Sequence, residues 1–450
     1  MTKPIYPILS FFVPFSLYLA TLAPTFLWSD SAKLAIFVQE SDFYGFGHGY
    51  HPLHTILGIM FSKLPFELAY TQNLMSAFFA AAALFILFYL QRELDISPKI
   101  SLLGCFLLSL SHSFWLYSVI NETYSIHAFF IILILFMALK FRKTRKQVFF
   151  CLAYLFSGLA LYNHTISLLL IPTTIILTFY QNRLHFRKIL LALFFFLAGM
   201  FPLFLIPLLK LGFDRFSQTI FSETSGHFLT FFEIKKIIKE MSKFPFYLFY
   251  QFPTFAALAG IIGFKRLFKK DQVLSFSLLI FFLINTFFAF SYFLQRQFAL
   301  LIPSYAVFGI WIMIGLNHPY LEERVRLKKL WVLFLYLSIV VMPQVVYYVF
   351  PTVYKNSGLK IINIRQLPYR DSIGYFFLPE KRWEYSARIY AREVLNRAEK
   401  DAVIIADFNP GMVLIYCQKI FGQRPDITIP DFIDSIVHSS PDPVRDLTRI

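Results

Sequence analysis

Long apolar runs divide most of this chain, and their length matches the thickness of a lipid bilayer. A helix needs about 20 mostly apolar residues to cross the hydrocarbon core. Runs near this length occur at residues 5–23, 72–90, 100–117, 125–139, 148–162, 166–180, 189–209, 246–264, 273–294, 298–316 and 330–350. The pattern predicts an all-α polytopic membrane protein with about 11 transmembrane helices.

Composition agrees with this class and excludes a soluble globular chain. Hydrophobic residues make up 57% of the sequence, charged residues only 15%, and the mean hydropathy is +0.61. Lys and Arg number 42 against 26 Asp and Glu, which gives a formal net charge of +16. Because the basic excess is concentrated in particular connections between the apolar runs, it carries information on topology.

Every second connection between the predicted spans is basic, and this orients the chain in the membrane. The positive-inside rule assigns these connections, together with the N-terminus and its Lys3, to the cytoplasm. Residues after 350 are then extracytoplasmic, in a multi-pass inner (plasma) membrane protein. The first run also fits a cleaved signal peptide, but prolines at positions 4, 7, 14 and 24 favour a retained span.

Two domains are predicted from this layout. Residues 1–350 form the transmembrane domain, whose first outer loop covers residues 24–71. Residues 351–450 form a small extracytoplasmic α/β domain, interpreted as an acceptor-recognition domain or lid. Its pattern predicts helices at 383–399 and 411–420 and strands at 402–406 and 426–429. The stretch 407–411 suits either a ligand site or a turn that starts a helix, and the turn is the better match.

Common signatures of soluble enzymes are missing from the sequence. It has no CxxC, HExxH or glycine-rich phosphate loop, which argues against a cytosolic nucleotide site. Cys105 and Cys151 lie in predicted spans and Cys417 stands alone, so no disulfide framework is expected. The lipid bilayer is the expected surrounding, and no nucleic-acid partner is expected.

The first outer loop begins with a carboxylate at the rim of a span. Asp30 follows the first apolar run, where an ionisable side chain is costly to hold out of water and therefore indicates a function. Pro52 starts an apolar stretch that predicts a short helix lying along the interface. His51 and His54 accompany it. Interfacial histidines are often only solvated, and metal ligation is not expected because no carboxylate stands at a clear ligand spacing.

Other predicted outer loops carry polar residues that are able to converge with Asp30. They are Glu122, Tyr124, His127, Asn163, His164 and Arg296. Glu122 is equally well explained as a solvated loop residue. The triplets 121–123 and 163–165 match the glycosylation motif, but both lie beside a span and are interpreted as chance matches.

Four stretches in the first part of the chain follow the order of the motifs of a known family. They are Trp28-Ser29-Asp30-Ser31, Pro52-Leu53-His54-Thr55-Ile56-Leu57-Gly58, Ser113-Phe114-Trp115 with Glu122-Thr123-Tyr124-Ser125-Ile126-His127, and Tyr162-Asn163-His164-Thr165. Residues 23–177 thereby resemble the bacterial domain-of-unknown-function 2723 (DUF2723) group, which is related to lipid-dependent glycosyltransferases of the GT-C fold and to protein O-mannosyltransferases. The chain departs from the family pattern at Lys33, where an acid is common, and at residues 47–51.

The resemblance implies a GT-C-like fold and the transfer of a sugar from a polyprenyl-phosphate donor to an acceptor hydroxyl on the outer face. Asp30 is the expected general base, and Lys33 is expected to tune it or to meet the donor phosphate. Arg296 is expected to face the leaving phosphate, and Glu122 to orient the acceptor or hold a sugar hydroxyl. One base and direct attack imply inversion at the sugar carbon.

Further residues complete the expected substrate and donor site. They are Ser31, His51, His54, Tyr124, His127, Asn163 and His164. No cofactor is assigned and no metal ligands are named, although dependence on a divalent metal stays open because related folds include both kinds. The acceptor is a protein, a lipid or a glycan.

Two other classes stay open at the level of sequence. A bundle of this size suits a transporter or flippase, although the acids lie at span ends and no repeat relates the two halves. A non-catalytic scaffold for envelope assembly is the third interpretation, because Lys33 departs from the family pattern. Sugar transfer by the purified protein would distinguish a glycosyltransferase from a transporter and from a scaffold.

Overall fold

The computed structural model describes residues 4–42, 51–180, 185–201, 205, 208–209, 212, 233–292, 297–317, 326–358 and 364–430. Its regular structure is almost wholly helical, as expected where backbone groups must be satisfied inside a bilayer. The first half contains α1 Ile5–Ala20, α2 Asp30–Glu40, α3 Pro52–Phe61, α4 Leu68–Glu93, α5 Pro98–Ser109, α6 His112–Ser118, α7 Tyr124–Thr144, α8 Gln147–Leu161 and α9 Ile171–Phe179. The second half contains α10 at 186–201, α11 Ile234–Met241, α12 Phe244–Gln251, α13 Ala259–Lys270, α14 Gln272–Ser291, α15 Gln297–Leu300, α16 Ile302–Leu316, α17 Arg326–Ser357, α18 Ser372–Phe377, α19 Ser386–Arg397 and α20 Phe408–Phe421.

Every predicted apolar run carries helix within the described residues, but few of these helices have full spanning length. Four are long and apolar enough to cross a membrane, namely α4, α7, α14 and the Leu333–Ser357 part of α17. The pair α5 and α6, bent by 72°, makes a fifth if it is counted as one span. The expectation of about 11 spans is therefore corrected, for the described part of the chain, to four or five helices of spanning length.

Breaks within two of the apolar runs account for part of this difference, and helices shorter than 18 residues, such as α1, α8 and α16, account for more of it. Helix α12 ends at Gln251 and α13 begins only at Ala259, because Pro253 lies between them and disfavours helical geometry in the residue before it. The bend between α5 and α6 falls at Ser111, whose hydroxyl donates to the Leu108 carbonyl at 2.8 Å and so competes with the helical backbone bonds. Apolar length alone did not reveal these interruptions.

Close helix crossings and lipid-facing side chains are typical of a membrane bundle. Helix α4 packs on α1, α5 and α7, and α13 packs on α16. A Cβ on Gly263 would lie 1.7 Å from the Trp311 carbonyl oxygen, so only glycine permits this approach of α13 to α16. Large apolar side chains such as Phe12, Phe194 and Val345 are exposed along α1, α10 and α17, where lipid replaces water.

The C-terminal segment, defined here as residues 364–430, consists of helices and lies against the first outer loop. Side chains of α2 share one apolar core with α19 and α20. Phe26, just before α2, stacks on Tyr416 of α20 with ring centroids 4.3 Å apart. The segment therefore packs against the part of the chain that leads into α2.

The two strands predicted in this segment are not formed in the described residues. Their positions meet in one parallel bridge, between Val403 and Thr428. Val403 and Ile405 are 63% and 80% exposed, so no further layer covers the pair, and an isolated two-stranded pair is marginal in water. Over residues 364–430, the expected α/β domain is corrected to three helices with a single bridge.

Charged residues gather where α4, α7 and α13 end, and we call this region the basic end. Arg142 of α7 donates to both carboxylate oxygens of Asp271, at 2.5 and 2.8 Å. Asp95, just after α4, lies 2.8 Å from the Lys270 ammonium and 3.2 Å from that of Lys143. These groups border a cavity of about 410 Å³. The opposite end of α4, which begins at Leu68, adjoins the first outer loop, and we call that region the Asp30 end.

Candidate active site

Hydrogen bonds to the chain after α1 fix the place where α2 begins. The buried Asn73 amide donates to the carbonyls of Ala23 and Thr25, at 2.9 and 3.2 Å. Ser29 then adopts φ 66° and ψ −131°, and α2 starts at the next residue, Asp30. The predicted base is thus the first residue of a helix and is exposed.

A cavity of about 320 Å³ adjoins the start of α2. Asp30, Glu122 and Tyr124 line it, so the structure brings together three residues that the sequence analysis selected from two different loops. The C-terminal segment contributes Arg365 and Arg370 to the same wall. Two carboxylates and two guanidinium groups around one space suit a ligand that carries both hydroxyl groups and an anionic group.

The two carboxylates of the cavity differ in their surroundings. Asp30 is exposed and has no ion-pair partner among the described residues. Glu122 is only 6% exposed. An exposed carboxylate is accessible to an incoming hydroxyl, whereas a buried one suits a fixed contact with a bound ligand.

Asn121 connects two of the predicted motifs behind the cavity. Its amide nitrogen donates to the Ser31 carbonyl at 2.9 Å, and its oxygen lies 3.0 Å from His54 Nε2. Because the amide orientation makes that oxygen an acceptor, we assign the His54 proton to Nε2, which leaves Nδ1 as a bare acceptor. His54 Nδ1 is buried and has no hydrogen-bond partner among the described residues.

Asn163 and His51 connect two more of the motifs. The Asn163 amide donates to the Thr123 carbonyl at 3.0 Å, and His51 Nδ1 donates to the Asn163 carbonyl. The Leu53 amide donates to the Tyr162 carbonyl at 3.2 Å. Desolvation lowers the pKa of His51 to about 4 despite the opposing effect of its hydrogen bond to Asn163, so this imidazole is neutral at pH 7.

Three aromatic or histidine rings surround His164. The ring centroids of His51 and His127 each lie 5.2 Å from that of His164, and Tyr124 lies at 5.7 Å. His127 Nδ1 lies 3.1 Å from Ser167 Oγ, a hydroxyl that donates to the Ala160 carbonyl, so Nδ1 carries the imidazole proton. The predicted residues therefore form one polar group, in which His54, His127 and Asn163 are buried and Tyr124 is the member that lines the cavity. The other members are His51 and His164.

Lys33 lies one helical turn after Asp30, as expected if this stretch is helical. Its side chain is buried, and the ammonium lies 5.3 Å from the ring centroid of Phe37 and 5.8 Å from that of Phe408. Contact with aromatic faces stabilises a cation away from water. Lys33 is not among the residues that line the cavity.

The C-terminal segment adds residues to the site that the sequence did not predict. Arg365 forms an ion pair with Asp407, the residue that precedes α20, and Asn409 in the first turn of α20 lines the cavity. The guanidinium of Arg370 lies 4.3 Å from the ring centroid of Tyr375 and donates to the Arg365 carbonyl at 3.0 Å. The sequence pattern at 407–411 predicts a turn and helix start, and this stretch provides both that helix start and the cavity residue Asn409.

One expected site residue cannot be placed on this geometry. Arg296, selected for the donor phosphate, lies outside the described residues. Across the ranges that the structure describes, no group of three His, Cys, Asp or Glu side chains suits a metal ion.

Comparison with solved structures defines the class of fold. The fold resembles that of ArnT from Cupriavidus metallidurans bound to undecaprenyl phosphate, with a TM-score of 0.55, 12% identity, and coverage of 95% of this chain and 90% of ArnT. The same protein in the apo state gives a TM-score of 0.56 at 12% identity, with coverage of 95% of this chain and 89% of ArnT. At this identity the similarity establishes the fold alone, a helical polytopic membrane fold similar to that of ArnT.

Part of the chain also matches the model of a protein family. Residues 45–187 match the model described as the protein O-mannosyl-transferase TMEM260 N-terminal domain, about a third of the 450 residues. The match covers α3 to α9 and includes Glu122 and Asn163, but it begins after Asp30. No curated protein matches the sequence.

Proposed function

We propose that this protein is a membrane glycosyltransferase that transfers a sugar from a polyprenyl-phosphate donor to an acceptor hydroxyl of a protein, lipid or glycan, with inversion at the sugar carbon. The observation that carries the proposal is the single cavity where Asp30 and Glu122 meet Arg365 and Arg370. The similar fold of ArnT, in a structure with undecaprenyl phosphate, supports a lipid phosphate as the donor's leaving group.

Asp30 is the proposed general base. As the acceptor oxygen bonds to the anomeric carbon, the acceptor proton moves to the Asp30 carboxylate and the bond from that carbon to the phosphate oxygen breaks. Exposure of Asp30 at the cavity allows an acceptor from outside the bundle to approach it. Glu122, buried at the same cavity, accepts a hydrogen bond from a sugar hydroxyl or orients the acceptor.

The arginines are proposed to stabilise the departing phosphate. Its negative charge grows as the bond to the sugar breaks, and guanidinium donors are well suited to bind it. Arg370 is braced by the Tyr375 ring and by the Arg365 carbonyl, which limits its freedom before the donor binds. Arg296 retains its proposed role at the phosphate.

The polar group next to the cavity is proposed to hold the sugar. His54 Nδ1, His127 Nε2 and Asn163 Oδ1 are buried atoms that accept hydrogen bonds and have no partner among the described residues. Such atoms suit the hydroxyl hydrogens of a neutral sugar and disfavour an anion, so phosphate and sugar are separated between the two sides of the site. Ser31, Lys33, His51, Tyr124 and His164 complete this proposed donor site.

The proposed orientation follows from the charge difference between the two ends of the bundle. The basic end faces the cytoplasm by the positive-inside rule, together with the N-terminus. The Asp30 end and the C-terminal segment then lie on the outer, periplasmic face of the inner membrane, where transfer occurs.

The test is transfer of labelled sugar from a panel of polyprenyl-phosphate donors by the purified full-length protein in lipid. Asp30→Asn is compared with Asp401→Asn, which removes a carboxylate of the C-terminal segment outside the cavity. We expect transfer by the wild type and by Asp401→Asn, and loss in Asp30→Asn. Equal transfer by both variants would remove Asp30 as the base. No transfer by any form, over a broad acceptor panel, would favour a transporter or a scaffold.

A further inference from the structure

The C-terminal segment holds α2 at both of its ends. Before the helix, Trp28 Nε1 donates to Ser386 Oγ at 2.8 Å, and both residues are buried. In the last turn, the Glu40 carboxylate lies 2.6 Å from the Lys419 ammonium. The helix that begins with Asp30 is therefore attached to α19 at one end and to α20 at the other.

The residue between Trp28 and Asp30 has a backbone conformation that side chains other than glycine rarely adopt. Ser29 has φ 66° and ψ −131°. A residue with a Cβ remains in such a region only where the surrounding structure determines its conformation. The amides of Ala32 and Lys33 both donate to the Ser29 carbonyl, at 3.2 Å, so this conformation also sets the first turn of α2.

The contact with Trp28 is directional, because Ser386 is itself oriented. Its hydroxyl donates to the Glu384 carboxylate, and its amide donates to the same carboxylate at 3.1 Å. The serine oxygen therefore presents a lone pair to the indole N–H of Trp28. The indole ring also packs on Tyr390, with centroids 5.2 Å apart, so the hydrogen bond and the ring contact hold Trp28 from one side.

We propose that Ser386 and Trp28 are positioning residues for the transfer reaction. Their hydrogen bond holds the strained turn at Ser29 and thereby keeps the Asp30 carboxylate at the cavity. Neither side chain takes part in the chemistry. The proposal rests on the proposed function for its kinetic consequence, while its structural consequence, the order of the first turn of α2, does not depend on any activity.

The test compares Ser386→Ala, Ser386→Thr, Ser29→Gly and the double variant Ser29→Gly/Ser386→Ala in the full-length protein. We expect Ser386→Ala to lower kcat at least tenfold, about 1.4 kcal/mol in barrier, with KM for the donor unchanged. Ser386→Thr keeps the hydroxyl and restores most of kcat. Because glycine adopts the Ser29 conformation without strain, Ser386→Ala should cost much less in the Ser29→Gly background.

Arg388→Met is the matched control. Arg388 lies on the same helix as Ser386 and joins the segment to the first outer loop through Glu67, at 3.1 Å, without contacting Trp28. We expect this variant to lower the melting temperature at least as much as Ser386→Ala does, with kcat unchanged. If Ser386→Ala and Arg388→Met lower kcat equally, or if Ser29→Gly gives no rescue, Ser386 only fastens the segment and the positioning role is wrong.

Hydrogen exchange at the amides of Ala32 and Lys33 gives a readout that needs no donor. We expect exchange at both amides to be at least tenfold faster in Ser386→Ala, and close to wild type in Arg388→Met. If the wild type transfers no sugar but exchange changes as expected, the proposed function fails while the positioning of α2 stands. Unchanged exchange in Ser386→Ala would overturn the positioning proposal even in an active enzyme.

Discussion

The basic end and the Asp30 end of the bundle contain the same kinds of charged side chain in different states of pairing. At the basic end, the Asp271 carboxylate is held by two hydrogen bonds from Arg142, and Asp95 is shared by two lysines. At the Asp30 end, Asp30 is exposed at a cavity and has no ion-pair partner in the described parts of the chain. Both ends border cavities of similar size, about 410 and 320 Å³.

This difference shows that pairing, more than charge or cavity volume, distinguishes a structural site from a candidate reaction site. Carboxylates that are paired with arginine or lysine hold helix ends together and offer little to a ligand. A carboxylate left at a cavity, with buried acceptor atoms beside it, is available for chemistry. We therefore expect that removal of a carboxylate charge lowers activity at the Asp30 end and lowers stability at the basic end.

The largest effect is expected for Asp30→Asn. Removal of a general base typically lowers the rate by about 10²–10⁴-fold, while the exposed position of Asp30 predicts little change in melting temperature. Sugar transfer and thermal unfolding of the same preparation provide the measurement. Asp271→Asn is the control from the basic end. Its kcat is expected to stay within about twofold of the wild-type value, a change far smaller than the loss expected on removal of a general base. Comparable loss of kcat in both variants would contradict the comparison.

The next effect is expected for Arg370→Ala at the cavity. Loss of a charged hydrogen bond to the donor phosphate costs about 1.5–3 kcal/mol, so KM for the donor should rise by roughly 10- to 150-fold. The dependence of KM on salt should weaken in the variant, because one phosphate contact is lost. Arg397→Ala, on α19 and 80% exposed in its side chain, is the matched control and should leave KM unchanged. If neither KM nor kcat changed in Arg370→Ala, this arginine would be excluded from the donor site.

The sequence predicted most of the helical fold and three of the residues that line the cavity, Asp30, Glu122 and Tyr124. Helix positions followed from apolar runs, because a backbone in lipid has few alternatives to a helix. The start of α3 was predicted correctly from Pro52, which suits the first turn of a helix. The convergence of Glu122 and Tyr124 with Asp30 followed from motif order and loop topology.

The features of the site that the sequence did not predict depend on contacts between residues far apart in the chain. Trp28 and Ser386 are 358 positions apart, so no local pattern links them. Arg365 and Arg370 reach the cavity only because the C-terminal segment packs on α2, and this docking depends on shared apolar burial that a single sequence does not specify. The number of full spans was overestimated because local breaks, such as the one at Pro253, interrupt some apolar runs, and because other runs form helices of fewer than 18 residues.

A smaller effect, on stability, is expected for Asp271→Asn at the basic end. The Arg142 and Asp271 side chains are 14% and 28% exposed, so loss of the pair should cost about 1–3 kcal/mol of unfolding free energy. Asparagine can still accept the hydrogen bond from the Leu274 amide at the start of α14. The variant therefore removes the charge of Asp271 and keeps this hydrogen bond. Thermal or denaturant unfolding in detergent gives the measurement. A fall in kcat without a fall in stability would place Asp271 in the reaction.

The pH dependence of this pair has a definite sign. Desolvation opposes ionisation of Asp271, but the Arg142 hydrogen bond, the Leu274 amide and nearby cations outweigh it and hold the pKa of the carboxyl below its usual range. A carboxyl with a lowered pKa in the folded state stabilises the protein above its unfolded pKa, and this contribution is lost as the pH falls through the folded value. The stability difference between wild type and Asp271→Asn should therefore be constant near neutral pH and shrink below about pH 4.

The smallest effect is expected for Asp95→Asn, and it separates burial from pairing within the basic end. Asp95 has two lysine partners, but its side chain is 63% exposed and that of Lys270 is 62% exposed. Exposed pairs contribute about 0–1 kcal/mol and are screened by salt. Asparagine also tolerates the positive φ of 61° at this position, so the substitution adds no backbone strain. We expect a stability loss well below that of Asp271→Asn, falling further in high salt. An equal loss in the two variants would mean that the number of partners, rather than their burial, determines how firmly the basic end is held.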